Sequence, residues 1–113
     1  MTQRVLIVED DPLIAMDLES IAAEAGAISV ACASVREALA CLEAHDYALA
    51  LLDIDVSDGQ TFSIARLLRE RGVPVCFVSA LRRVDIPAEL ADMPLLPKPY
   101  RAAELRETIR VRM

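Results

Sequence analysis

Residues 5–11 read VLIVEDD: four consecutive apolar residues, Val5 to Val8, followed at once by three acids, Glu9, Asp10 and Asp11. A short run that is apolar at every position fits a strand buried on both faces, so it predicts a central strand of a parallel sheet. The acids then fall at the C-terminal end of that strand.

Outward from this stretch the chain alternates short β-rich runs with segments of helical period, the pattern of a βα-repeating α/β fold. Asp11 and Pro12 open a first helix with apolar positions Leu13, Ile14, Leu18, Ile21, Ala22 and Ala25, stopped by Gly26. A second strand runs from about Ile28 to Cys32. Ser34 and Glu37 form a capping box for a helix carrying Val35, Ala38, Leu39 and Leu42 on one face. The third strand spans Tyr47 to Leu52. A third helix presents Phe62, Ile64, Ala65, Leu67 and Leu68 and ends at Gly72. The fourth strand is Val73 to Val78, with Pro74 near its start. Pro87 and mixed charge leave room for only a short or irregular fourth helix before the brief fifth strand, Leu95-Leu96, and the last helix, Ala102 to Arg112. The expected architecture is a doubly wound five-stranded parallel sheet in a three-layer sandwich, and the 113 residues fit one domain, 1–113.

Composition narrows the function. The net charge of −6 argues against a nucleic-acid partner, because that affinity comes from basic residues that release counterions. No apolar run approaches the roughly 18 residues a membrane span needs. The N-terminal stretch lacks a cleavable signal pattern, and a cytoplasmic protein is expected. Cys32, Cys41 and Cys76 lie in neither disulfide nor zinc spacing and are expected to be packing residues. The lone histidine, His45, sits in a turn without ligand companions.

In an open parallel sheet, ligands bind beyond the C-terminal ends of the strands. The polar residues at those ends are Glu9, Asp10 and Asp11 after strand one, Asp53 and Asp55 after strand three, Ser79 after strand four and Lys98 after strand five. Carboxylates gathered at one edge repel unless a cation joins them, and an all-oxygen set favours a hard ion such as Mg²⁺. Lys98 is the only lysine; the other eleven of the twelve basic residues are arginine. A compact ammonium on a flexible stem suits a tight site with one localised negative group. Asp58-Gly59 reads as a turn before the third helix.

The motifs VLIVEDD, LLDIDV, VSA and PKPY, in that order from Arg4 to Arg112, resemble the receiver domain of two-component response regulators, with its flavodoxin-like (βα)5 fold. The resemblance implies that Asp53 accepts a phosphoryl group and that Glu9 and Asp10 hold Mg²⁺, with Mn²⁺ able to substitute. It assigns Asp53 and the Asp55 carbonyl to the same metal, and Ser79 and Lys98 to the phosphoryl oxygens. It also implies a sensor histidine kinase or histidine phosphotransfer protein as donor, a downstream protein partner, and no enzymatic turnover beyond slow loss of the protein's own phosphoryl group. Two alternatives compete: a metal-dependent phosphotransfer enzyme with a DxD strand end, and a receiver-like interaction module that is never phosphorylated.

Two departures stand out. Most receivers carry an aromatic residue where this chain has Leu95, and Phe77-Val78-Ser79-Ala80 is partly similar to the Phe-Ala-Thr-Gly motif of a subgroup of alphaproteobacterial single-domain receivers. With no aromatic to rotate, the expected switch is the loop after strand four. There Ser79 would pull Ala80 and Leu81 toward the phosphoryl group, and the segment Leu81 to Asp92 is expected to be weakly held. The arginines Arg106, Arg110 and Arg112 are expected to pair with Glu104 or Glu107.

Overall fold

The computed structural model describes residues 3–80 and 85–113. Its main sheet has five parallel strands in the order β2-β1-β3-β6-β7, namely Ile28–Cys32, Arg4–Val8, Leu49–Leu52, Val75–Ser79 and Leu95–Pro97. This is the flavodoxin-like winding, with the switch in strand order between β1 and β3. A second, two-stranded ribbon pairs β4, Asp55–Val56, with β5, Gly59–Gln60. The helices are α1, Pro12–Glu24; α2, Val35–Ala44; α3, Phe62–Glu70; and α4, Ala102–Arg112. Among the described residues between β6 and β7, a 3₁₀ turn spans Ala88–Leu90.

The continuous apolar strands bury both faces of the sheet. On one side Val5, Ile7, Leu49, Leu51, Cys76 and Val78 meet Leu18, Ile21 and Ala22 of α1 and Leu105 and Ile109 of α4. On the other, Leu6, Val8, Ala50, Leu52 and Phe77 meet Ala38 and Leu42 of α2 and Ile64, Ala65 and Leu68 of α3. The alternation of strand residues between two cores is what makes the sandwich three layers.

Helix ends follow their local chemistry. Asp11 caps α1, its Oδ1 accepting from the N–H groups of Leu13 at 2.9 Å and Ile14 at 3.4 Å. Ser34 caps α2 by accepting from Glu37 N–H at 3.1 Å, while the Glu37 carboxylate accepts from Ala33, one residue earlier than the usual reciprocal bond. Beyond α1 and α3 the chain reverses at Gly26 and Gly72, both at the positive φ that glycine adopts without a Cβ clash.

Several boundaries and faces differ from the sequence reading. Leu13 is 76% exposed and Leu39 43% exposed, because helical period marks the centre of a buried face better than its width. Ala25 is exposed at the end of α1, and Tyr47 precedes β3 rather than belonging to it. Arg106 pairs with Glu24 of α1 at 3.2 Å instead of with a neighbour on its own helix, whereas Arg110 does pair with Glu107. Cys32 and Cys76 are buried; Cys41 is half-buried, its sulfur 2.9 Å from that of Cys32, both as free thiols. His45 is exposed and edge-on to Tyr47.

Residues 81–84, on which part of the expected switch falls, lie outside the described residues. From residue 86 onward the segment is not weakly held. Ile86, Leu90 and Met93 are buried in the α2/α3 core, and Arg66 and Arg69 of α3 pair with Glu89 and Asp92 at 2.6 Å each.

The contrast within α1 is testable by urea denaturation. Leu18→Ala should lower stability by about 2–5 kcal/mol through lost burial and a residual cavity. Leu13→Ala should change it by no more than about 0.5 kcal/mol.

Candidate functional site

The site is built by strand register. Val8 of β1 lies opposite Leu52 of β3, so the next residues, Glu9 and Asp53, leave the sheet side by side. The ladder continues through both: Glu9 N–H donates to the Cys32 carbonyl and Asp53 N–H to the Val8 carbonyl, each at 2.9 Å. On the other side of β3, Ser79 of β6 is opposite Pro97 of β7, and Lys98 N–H donates to the Ser79 carbonyl at 3.0 Å.

These backbone positions bring three carboxylates together. One oxygen from each of Glu9, Asp10 and Asp53 lies within 4.8 Å of the others. Glu9 and Asp53 are buried, 2% and 9% exposed, and Asp10 faces solvent. Lys98, half-buried, donates to Glu9 Oε1 at 2.6 Å and to Asp53 Oδ2 at 3.1 Å. Ser79 is buried at the end of β6.

The electrostatics are those of a crowded anionic pocket with one cation. Burial pushes the Glu9 carboxyl above its ordinary pKa, and the Asp53 charge adds to the rise; the bonds from Lys98 and from Asp11 N–H pull the other way without cancelling it. Burial alone would lower the Lys98 ammonium, but its hydrogen bonds to Glu9 and Asp53 and their charges outweigh that, leaving its pKa above the ordinary value. An ion pair by itself would lower the acid and raise the base. At Glu9 the cost of burial, with the Asp53 charge beside it, outweighs the stabilisation from its donors.

The donor chemistry fits a hard divalent cation: three oxygen ligands at one edge, one of them open to water, with a net negative charge that Lys98 only partly neutralises. Asp11 is engaged as the α1 cap, which separates it from the acidic pair before it. Asp55 stands on the ribbon after β3 with its side chain exposed and is not in the carboxylate cluster found among the described residues.

The sequence reading missed the partners of Thr61, Tyr100 and Asp58. Thr61, fully buried, donates its hydroxyl to the Asp53 carbonyl at 2.6 Å. Tyr100 donates to Asp17 Oδ2, tying the turn that follows Lys98 to α1; burial and that bond raise its phenol above the ordinary pKa. The peptide between Lys98 and Pro99 in that turn is cis. Asp58 is not simply part of a turn: its carboxylate accepts from Val35 N–H at 2.7 Å and Arg36 N–H at 3.1 Å, the first two amides of α2. The Asp-Gly pair was the only signal for it, and that signal does not name a distant partner.

Comparison with known proteins bears on this arrangement. The family described as the response regulator receiver domain matches residues 5–110. The chain is 32% identical over 114 aligned positions to the phyllosphere-induced regulator PhyR of Methylorubrum extorquens, covering 96% of this chain and 43% of that protein. Among solved structures, SdrG from Sphingomonas melonis is similar with a TM-score of 0.81 at 27% identity, covering 98% of this chain and 96% of that one. TrrA from Thermotoga maritima, solved in complex with Mg²⁺-BeF, has a TM-score of 0.86 at 22% identity, covering 99% and 100%.

Removing the central cation tests the electrostatics directly. Lys98→Met should destabilise the metal-free protein by about 1–3 kcal/mol, the cost of leaving charged acceptors without their donor in a site still partly open to solvent. Saturating Mg²⁺ should raise the melting temperature more for this variant than for the wild type.

Proposed function

The chain belongs to the response regulator receiver domain family, and from that premise we propose that residues 1–113 act as one receiver domain, the phosphoacceptor of a two-component phosphorelay. The observation that carries this reading is the convergence of Glu9, Asp10 and Asp53 with Lys98 bonded to Asp53. Asp53 combines a strand-end position, a place in the carboxylate cluster and contact with the only lysine.

In the proposed reaction a carboxylate oxygen of Asp53 attacks the phosphorus of a phosphohistidine in line. A P–O bond forms, the P–N bond breaks, and the histidine nitrogen keeps the electron pair. Mg²⁺, or Mn²⁺ in its place, held by Glu9, Asp10, Asp53 and the Asp55 carbonyl, would supply charge neutralisation at the transferred oxygens. Lys98, already bonded to Asp53, would stabilise the developing charge, and buried Ser79 would supply a hydroxyl at the neighbouring strand end. TrrA, a protein of the same fold, takes Mg²⁺-BeF, in keeping with this ion.

The donor is a sensor histidine kinase or a histidine phosphotransfer protein, and the phosphorylated form signals by contact with a downstream protein, in the cytoplasm. Turnover is limited to hydrolysis of the aspartyl phosphate, as suits a family of signalling domains. This chain spans 43% of the length of the PhyR relative, so the reading concerns the receiver alone.

Intact-mass spectrometry after incubation with acetyl phosphate and Mg²⁺ tests the proposal. Wild type should gain one phosphoryl group, and should fail to gain it in excess chelator. Asp53→Asn should not gain it under either condition. Equal labelling of the two proteins would remove Asp53 from the role.

A further inference from the structure

The ribbon that follows Asp53 is small, two residues pairing with two: Asp55 opposite Gln60 and Val56 opposite Gly59. So short a hairpin has little stability of its own, and its position depends on what holds its ends. Its base is held by Thr61, through the hydroxyl bond to the Asp53 carbonyl and an N–H bond to the Ile54 carbonyl at 2.9 Å. Its tip is held by α2, where Asp58 takes both of the first two helix amides and Ser57 Oγ donates to the Ala33 carbonyl at 3.4 Å.

The helix does not need Asp58 in order to start. Ser34 already caps α2 on Glu37 N–H, and Glu37 satisfies Ala33 N–H. What Asp58 adds is a fixed distance between the helix terminus and the ribbon. We infer that Asp58 is a positioning residue for the metal site: its two-pronged hold on Val35 and Arg36 sets where the ribbon, and with it the Asp55 carbonyl, stands relative to Glu9, Asp10 and Asp53. This inference rests on the receiver reading, in which that carbonyl is a ligand.

The experiment titrates the full chain with Mg²⁺ by calorimetry, with amide NMR as a check on folding. In Asp58→Ala, Mg²⁺ affinity should fall roughly tenfold, as when outer supports of metal ligands are removed. The loss should persist at high salt, where a distant charge is screened. Asp58→Asn, which keeps an acceptor for one amide, should lose less and serves if the alanine variant does not fold. Ser34→Ala, which weakens the same helix terminus without touching the ribbon, should keep wild-type affinity. Amide exchange at Val35 and Arg36 and across residues 55–60 should quicken in Asp58→Ala. Wild-type affinity in both Asp58 variants, an equal loss in Ser34→Ala, or a loss abolished by salt would each overturn the inference while leaving the receiver reading standing. A wild-type protein that binds no Mg²⁺ would overturn both.

Discussion

The hydrogen bond from Asp53 N–H to the Val8 carbonyl closes the β1–β3 ladder, and the register it completes decides everything at the site. Side chains alternate along a strand, so a slip of one residue would exchange the two cores and turn Glu9 and Asp53 away from each other. That register is held by residues with no chemistry: Val5 and Ile7 with Leu49 and Leu51 toward one helix pair, Leu6 and Val8 with Ala50 and Leu52 toward the other. Two apolar faces fix the strands in depth, and the first residues beyond them are set by geometry rather than by mutual attraction.

This division matters because the acids would not assemble unaided. Glu9 and Asp53 are buried next to each other, with Asp10 close by, and the upward shift of Glu9 records the cost. The fold imposes the cluster, and Lys98, brought from the far strand through its backbone bond to Ser79, offsets part of it. A site kept short of neutrality favours an incoming cation, and with the cation present it favours an anion.

Much of the fold was legible in the sequence because its signals are local. The limits of β2 and α4 and the cap at Ser34 each depend on residues a few positions apart. The strand-end acids and Lys98 were legible as a group, since all lie where a parallel sheet presents its ligands, while their separate roles came from likeness to a family. The rest depended on distant pairings. Asp58 meets amides more than twenty residues earlier, Arg106 meets Glu24 across two helices, and Thr61 turns its hydroxyl to a carbonyl that local rules do not single out. The anchoring of residues 86–93 was missed for a different reason: Ile86, Leu90 and Met93 stand four and three positions apart, but Pro87 within that spacing argued against an ordered element, and all three reach the same core.

The enclosure of Lys98 between two carboxylates has a practical side. Because it is the only lysine, amine-directed reagents have just one side-chain target in the whole chain, and that target is the centre of the site. Acylation or reductive methylation therefore reads out site accessibility without any engineered probe, against the N-terminal amine as an internal reference. Since proline follows Lys98, trypsin cuts this protein at arginine alone, and the modified residue stays inside one long peptide whatever its state.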